Sequence, residues 1–360
     1  MIKYIGSKRR LVPVLGELAA TVGARTALDL FTGTTRVAQE LKARGVNVTA
    51  VDSARYAAMF ARCYVELDAA LADRAGLDAA LRDLSRRPGV DGYVTETFCV
   101  QSRFFQPFNG RRIDAVRDAI ETDYAASPLY PVLLTSLIEA ADRVDSTTGV
   151  QMAYVKKWAP RSFRPLELRA PELLAGSGRA VLGDACELAG AVGSFDFAYL
   201  DPPYNQHRYF TNYHIWETLV AWDAPVHYGV ACKRVDARDP ETRSPFNERA
   251  RMPAALAGVI RDVDAAVIAV SYNDESWVTI DELEAMVAAR GGAVCTLAFD
   301  SRRYVGAQIG IHNPQGKKVG KVSHLHNLEY MVLGGDPDAI AAVAHRFSPN
   351  LRHQTRPELV

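Results

Sequence analysis

The sequence lacks three features that would assign it at once to a class of protein. Its formal charge is zero, because 42 Lys and Arg residues balance 42 Asp and Glu residues, so it is not a general polycation that coats nucleic acid or membranes. No apolar run approaches the roughly 18 residues of a membrane-spanning helix, and the first basic residues precede no signal-peptide core. We therefore expect a cytoplasmic protein with no membrane partner, whose anionic ligands must be met by local basic patches.

Cysteine pairs are also missing. Cys63, Cys99, Cys186, Cys232 and Cys295 are odd in number and never form a C-x-x-C pair. Neither a disulfide framework nor a zinc site is indicated, so we expect no metal and a reducing compartment.

What the sequence does contain is an alternation of strand and helix patterns. Apolar segments bounded by turn residues predict strands at residues 26–31, 46–51, 179–182, 195–200, 265–270, 294–299 and 328–333. Helical spacing separates the earlier segments, which favours a mostly parallel sheet. The last two predict an antiparallel closing pair. The expected fold class is therefore α/β.

Between the second and third of these strands the alternation stops for more than a hundred residues. Helices are predicted there at residues 67–84, 113–124 and 129–144, with clustered Arg, Lys and aromatic residues and few strand runs. We therefore predict one domain built from residues 1–62 and 178–360, and a mainly helical insertion at residues 63–177.

Polar residues follow the first two predicted strands. Asp29, Phe31 and Gly33 form a loop at the carboxyl end of the first strand, where open α/β sheets bind ligands. Asp52 follows the second strand, where a carboxylate can accept both ribose hydroxyls of a cofactor. Thr35 stands where a dinucleotide fingerprint needs a second glycine, which argues against NAD and FAD. The loop alone favours a cofactor with a ribose, and a plain β-α turn remains the alternative.

A proline-rich tetrapeptide ends the predicted strand at residues 195–200. It consists of Asp201, Pro202, Pro203 and Tyr204. The two prolines fix their φ angles and stiffen the loop, so the Pro202 carbonyl becomes a fixed acceptor beside a carboxylate and an aromatic ring. An exocyclic amino group on a flat ring needs two acceptors for its hydrogens and an aromatic surface. We therefore predict that this loop is catalytic.

This tetrapeptide and the Phe31-x-Gly33 loop together resemble the amino-group DNA methyltransferases, and most closely the Dam-like (alpha-group) adenine-specific class. The resemblance implies a Rossmann-like methyltransferase sheet, S-adenosyl-L-methionine as cofactor, double-stranded DNA as partner and the insertion as target-recognition region. Thr35 departs from the class, in which many members carry Gly.

Further positions match the motifs of that class. Tyr4, Gly6, Ser7 and Lys8 resemble its N-terminal cofactor motif, which lines the methionine side of the site. Asp184 and Ala185 resemble the motif whose acidic residue meets the adenine amino group of the cofactor. Residues 209–214 and 216–219 resemble the helix after the catalytic loop, although Tyr209 and Tyr213 could equally be core residues.

The mechanism that the resemblance implies is direct methyl transfer to N6 of an adenine flipped out of duplex DNA. Asp201 and the Pro202 carbonyl would accept the N6 hydrogens. Cytosine C5 chemistry is excluded, because no cysteine follows a proline. Methylation of N4 of cytosine, methylation of adenine in RNA, and a non-catalytic DNA-binding module stay open as alternatives. So do a partner restriction endonuclease and the oligomeric state.

Two polar segments are candidates for DNA contact. Residues 301–328 contain no acid but carry five cations among glycines, which predicts contacts to the DNA backbone. These cations are Arg302, Arg303, Lys317, Lys318 and Lys321. A solvated hairpin is the alternative for this stretch. Residues 234–251 could cover the DNA or read its bases.

Overall fold

The computed structural model describes residues 2–6, 8–203, 206, 208–273, 276–302 and 326–355. At its centre lies one eight-stranded sheet. Its strands are β1 (Thr26–Asp29), β2 (Asn47–Asp52), β3 (Gly178–Leu182), β4 (Phe195–Leu200), β7 (Ala265–Asn273), β8 (Ala293–Arg302), β9 (His326–Gly335) and β10 (Leu351–Thr355). A separate hairpin pairs β5 (His227–Tyr228) with β6 (Lys233–Arg234).

The strand order in the sheet is β10-β8-β9-β7-β4-β1-β2-β3. β1, β2, β3, β4 and β7 are parallel to one another. β9 inserts antiparallel between β7 and β8, and β10 adds antiparallel to β8. The predicted α/β class, with a mostly parallel sheet and an antiparallel closing pair, is confirmed. β10 was not predicted, because its sequence is polar and lies at the sheet edge.

Helices cover both faces of the sheet. They are α1 (Val12–Thr21), α2 (Arg36–Ala43), α3 (Arg55–Ala61), α8 (Ala185–Leu188), α11 (Met252–Asp262), α12 (Ile280–Ala288) and α13 (Pro337–Arg346). One face packs against α1, α2 and α13, and the other against α8, α11 and α12. Adjacent strand residues supply the two cores: Ala27 belongs to the first and Leu28 to the second, as the period of two requires.

The segment predicted as an insertion is helical. It contains α4 (Arg74–Arg86), α5 (Tyr93–Thr95), α6 (Pro107–Tyr124) and α7 (Tyr130–Val144). The predicted start of the first helix at residue 67 was wrong, because Asp73 caps α4 by accepting a hydrogen bond from the Gly76 N–H at 2.8 Å. After the loop predicted to be catalytic, two short helices follow, α9 (Tyr209–Asn212) and α10 (His214–Ala221).

One hydrophobic core joins this helical segment to the sheet domain. Phe98 and Leu137 of the segment pack in the same cluster as Phe60 on α3 and Trp216 on α10. The segment is therefore anchored beside the helix that follows the catalytic loop. Within the described ranges, no helix is long and apolar enough to cross a membrane.

Candidate active site

A cavity of about 370 Å³ opens at the carboxyl ends of β1, β2 and β4. Most of the residues singled out from the sequence line it, although they come from five separate segments. These are Tyr4, Gly6, Lys8, Asp29, Phe31, Gly33, Asp52, Asp184, Ala185, Asp201 and Pro203. Pro202 is buried next to them. Ser7 and Tyr204 lie outside the described residues.

The turn after β1 takes its shape from two residues with positive φ. Gly33 has a φ of +50° and donates its N–H to Asp52 Oδ2 at 2.8 Å. Thr35 has a φ of +60°, a left-handed conformation that is unusual for a β-branched residue. Its buried hydroxyl donates to the Thr34 carbonyl and accepts from Gln39 Nε2, both at 2.7 Å. Thr35 therefore keeps the backbone conformation that glycine adopts readily at such a turn.

Asp29 offers an unused acceptor at the cavity wall. Its Oδ2 accepts hydrogen bonds from the Thr32 hydroxyl at 2.8 Å and from the Ala38 N–H at 3.2 Å. Its Oδ1 has no hydrogen-bond partner in the part of the chain that the structure describes. Burial raises the pKa of Asp29 to about 7, and the charges of Asp201 and Asp52 add to the rise. A buried carboxylate oxygen without a donor suits a cationic or hydrogen-donating ligand.

Backbone N–H groups donate hydrogen bonds to the carboxylates of Asp52, at the end of β2, and Asp184, just after β3. Asp52 Oδ1 accepts from the Ala54 N–H at 2.9 Å, in addition to the bond from Gly33. Burial raises the pKa of Asp52. Asp184 caps α8 by accepting from the Cys186 N–H at 2.7 Å. Both carboxylates line the cavity in fixed orientations.

Three tyrosines fix the N-terminal segment. The Tyr4 ring stacks on Tyr213 at 4.7 Å and on Tyr209 at 5.3 Å between centroids. The Tyr213 hydroxyl also accepts a hydrogen bond from the Ile5 N–H at 2.7 Å. Tyr213 is buried and does not line the cavity, whereas Tyr209 does. Tyr213 is thus a core residue that positions the N-terminal motif.

Asp201, Lys8 and Glu329 form an ionic cluster at the catalytic loop. Lys8 Nζ lies 3.3 Å from Asp201 Oδ1 and 2.8 Å from Glu329 Oε2, and all three side chains are largely buried. Burial raises the pKa of Asp201 to about 6; Lys8 opposes the rise and Glu329 adds to it. Lys8 and Glu329 therefore have opposite effects on the pKa of the carboxyl group that follows β4.

The match to a known family decides the class of enzyme. The model of the D12 class N6 adenine-specific DNA methyltransferases matches residues 4–286. The chain belongs to this family. The resemblance to the adenine-specific DNA methyltransferases is thereby confirmed; the family match does not by itself specify the Dam-like (alpha-group) subclass.

Several curated methyltransferases are similar to the chain. Type II methyltransferase M.NlaIII of Neisseria lactamica is 29% identical, over 91% of this chain and 99% of its own length. Modification methylase StsI of Streptococcus sanguinis is 27% identical over 78% of this chain. Type II methyltransferase M.FokI of Planomicrobium okeanokoites is 25% identical over 81%. The chain spans only 45% and 47% of the lengths of the last two.

Two acids at this cavity were given no role from the sequence: Glu217 lines it, and Glu329 lies beside it in contact with Lys8. Glu329 is one: because β9 runs antiparallel, its first residues reach the edge where the parallel strands end. The sequence signal that could have found Glu329 was an acidic residue near the start of the predicted closing strand. Glu217 on α10 is another; it is buried, and burial raises its pKa to about 7.

A polar segment after α10 closes one side of the cavity. Its lining residues are Glu241, Thr242, Arg243, Ser244, Phe246 and Asn247. The Phe246 ring meets Phe31 edge to face at 5.1 Å between centroids. This part of residues 234–251 therefore lies against the cofactor loop. The sequence signal for this contact was a single phenylalanine, Phe246, in an otherwise polar stretch.

The predicted basic DNA contacts are not tested by the structure. Arg302 is the last residue of β8. Arg303, Lys317, Lys318 and Lys321 lie outside the described residues. Their contact with the DNA backbone stays a prediction.

Proposed function

We propose that the chain transfers a methyl group from S-adenosylmethionine to N6 of an adenine flipped out of duplex DNA, within a specific recognition sequence. The supporting observation is that Asp201 of the catalytic loop lines the same cavity as Asp29, Asp52 and Asp184. One cavity thus joins the predicted acceptors for the amino group to the predicted cofactor residues.

The cavity residues fit S-adenosylmethionine in chemistry and in size. The unpartnered Asp29 Oδ1 suits a cationic group, and Asp52 and Asp184 are acceptors for ribose hydroxyls and an adenine amino group. Phe31 and Phe246 offer apolar faces. The volume of about 370 Å³ lies within the range of roughly 300–1,000 Å³ of small-molecule sites. When bound, the cofactor supplies a methyl group on a sulfonium.

The residues of the catalytic loop act on the nucleophile. The Asp201 carboxylate and the Pro202 carbonyl accept the two N6 hydrogens, which orients the amino group and raises electron density on nitrogen. Asp201 then takes the proton that N6 loses. Lys8 lowers the pKa of Asp201 and so favours the carboxylate form needed for this role. Tyr204 provides the stacking surface for the flipped base.

DNA recognition is assigned to the remaining parts. Residues 63–177 act as the target-recognition region, and the basic residues between Arg302 and Lys321 contact phosphates. Because the relatives are named as Type II methyltransferases and modification methylases, we place the chain in a restriction-modification system of a bacterial cytosol, with a restriction endonuclease as its genetic partner.

The test is methyl transfer by the purified chain. Labelled S-adenosylmethionine is incubated with duplex DNA of mixed sequence, and the nucleosides are analysed by mass spectrometry. We expect N6-methyladenine in the wild type and none with Asp201→Asn, the matched control. N4-methylcytosine, or transfer to RNA alone, would contradict the substrate assignment. Cofactor binding by calorimetry without any transfer would favour a non-catalytic module.

A further inference from the structure

A second cavity, of about 260 Å³, lies beside the catalytic loop. Its lining comes from three segments: the chain just after the catalytic loop, the helical segment and the β5–β6 hairpin. The lining residues are Met152, Gln206, Arg208, Thr211, Asn212, Tyr228 and Lys233. Arg208 lines both cavities, so the second adjoins the first.

Two residues that line this cavity carry polar atoms without partners. Thr211 Oγ1 and Asn212 Nδ2 are buried and form no hydrogen bond to any described residue. The two residues are only 7% and 5% exposed. A buried polar group without a partner destabilises the folded state. A ligand in the cavity could supply the hydrogen bonds that these two neighbouring groups lack.

The charge of the cavity indicates which ligand. Arg208 and Lys233 line it, and no Asp or Glu is among its described lining residues. The Arg238 guanidinium stacks on the Tyr228 ring, 3.7 Å from its centroid, and Lys233 Nζ lies 5.4 Å from the same centroid, which adds positive charge to this side of the cavity. Tyr228 and the 40% exposed Met152 add flat and apolar surface. An anionic ligand with a flat, polar-edged ring matches this set.

The wall that carries Met152 is held in place by its neighbour. The Gln151 N–H donates to the Asn212 carbonyl at 2.8 Å, and Gln151 Oε1 accepts from the Ile215 N–H at 2.8 Å. His214 Nε2 lies 3.0 Å from the Gln151 carbonyl oxygen. Met152 is therefore fixed against the helices that follow the catalytic loop. The cavity has a built wall on that side.

We propose that this cavity binds the nucleotide next to the target adenine on the same strand. The base packs against Met152 and the Tyr228–Arg238 stack, Thr211 and Asn212 hydrogen-bond its edge, and Arg208 and Lys233 meet its phosphate. Adjacent nucleotides are covalently linked, so a base flipped at the catalytic loop brings its neighbour to this cavity. The assignment rests on the proposed function and adds a site that reads one flanking base.

The first test measures binding. Duplex DNA that contains the target site is titrated by fluorescence anisotropy with Tyr228→Ala, Met152→Ala and Lys233→Ala. We expect Tyr228→Ala to weaken binding about ten-fold. Lys233→Ala should reduce the slope of log Kd against log salt by roughly 0.9. Arg346→Ala, an exposed cation on α13 in the layer with α1, is the control and should change neither quantity.

The second test measures specificity. Methylation rates are compared on duplexes that carry each base at each position flanking the adenine, with wild type and Thr211→Val. We expect the preference at one adjacent position to weaken several-fold in the variant, while cofactor affinity stays within two-fold. Should Thr211→Val fail to fold, the Tyr228→Ala, Met152→Ala and Lys233→Ala variants of the first test still decide between the outcomes.

The outcomes separate this inference from the proposed function. A wild-type chain that methylates no DNA refutes the function itself. A wild type that methylates DNA, with Tyr228→Ala, Met152→Ala and Lys233→Ala all binding like wild type, refutes the flanking-nucleotide site alone. A loss confined to affinity for the unpaired target base would assign the cavity to that base and overturn our proposal.

Discussion

The two neighbouring cavities differ in the carboxylates that they contain. The first has aspartates at the carboxyl ends of β1, β2 and β4, whereas the second has two cations and no acid among its described lining residues. The first suits a positively charged sulfonium, and the second suits a phosphate chain. Two adjoining sites, of which only the first has acids among its described lining residues, can hold a cationic methyl donor and a polyanionic acceptor close together. The difference teaches that the methyl donor and the DNA are held by separate surfaces on either side of the predicted catalytic loop.

The largest effect should come from Asp201, the carboxylate that follows β4. Asp201→Ala removes an acceptor for the N6 hydrogens, so we expect methyl transfer to fall at least about a hundred-fold. Affinity for S-adenosylmethionine should stay within several-fold, because Asp201 is assigned to the base. Single-turnover kinetics and calorimetry measure the two quantities. Retained turnover would show that Asp201 takes no part in methyl transfer, and the assignment of Asp201 to the base would be wrong.

Asp52→Ala should show the opposite balance. The variant loses a carboxylate assigned to two ribose hydroxyls, and charge-assisted hydrogen bonds are worth about 1.5–3 kcal/mol each. We expect the Kd for S-adenosylmethionine to rise at least about ten-fold, with DNA affinity unchanged. Part of the loss will reflect the bonds that Asp52 accepts from Gly33 and Ala54, so Asp52→Asn is the matched control. An unchanged Kd would refute the ribose assignment.

Glu329→Gln tests the ionic cluster through pH. The pKa of Asp201 is raised to about 6, so methyl transfer should fall as the pH drops through about 6 and the carboxylate is protonated. Glu329 contributes to that rise, so its neutralisation should move the midpoint to lower pH. Asp29 and Glu217, with pKa values raised to about 7, also line the cavity. A midpoint that does not move in Glu329→Gln would assign the acid limb to one of them.

The smallest expected effect concerns the turn that shapes the first cavity. Thr35→Ala and Thr35→Gly both lose the hydrogen bonds of the hydroxyl, but only glycine relieves the positive φ. We expect Thr35→Gly to be more stable than Thr35→Ala by about 1 kcal/mol, as measured by urea unfolding. Equal or reversed stabilities would show that the left-handed turn costs threonine nothing.

The sequence predicted the sheet because its strands are short apolar runs that follow one another in a regular alternation. β10 escaped prediction, since Leu351–Thr355 is a polar edge strand whose pairing with β8 is a tertiary contact. The first cavity was largely predictable, because motif residues follow strands whose ends share one edge. Glu329 was not, because only the antiparallel direction of β9 brings it to Lys8.

The second cavity could not be predicted for a different reason. Met152 and Tyr228 belong to no motif, Thr211 was noted only as part of the helix motif at residues 209–214, and the three are far apart in sequence. The Gln151 hydrogen bonds to the backbone of α9 and α10 bring Met152 beside Thr211, and the fold places the β5–β6 hairpin with Tyr228 at the same cavity. The missing partners of Thr211 and Asn212 become visible only once the chain is folded. The motifs predicted the chemistry, and the fold alone brought the flanking surface together.

The most direct test of the account is to express the chain in a host that lacks adenine methylation and to map modified bases across its genome. The account predicts N6-methyladenine in one recurrent sequence, with a defined base next to the modified adenine, and no modification with Asp201→Ala. A genome without N6-methyladenine despite folded, cofactor-binding protein, or one with methylated cytosine, would contradict it.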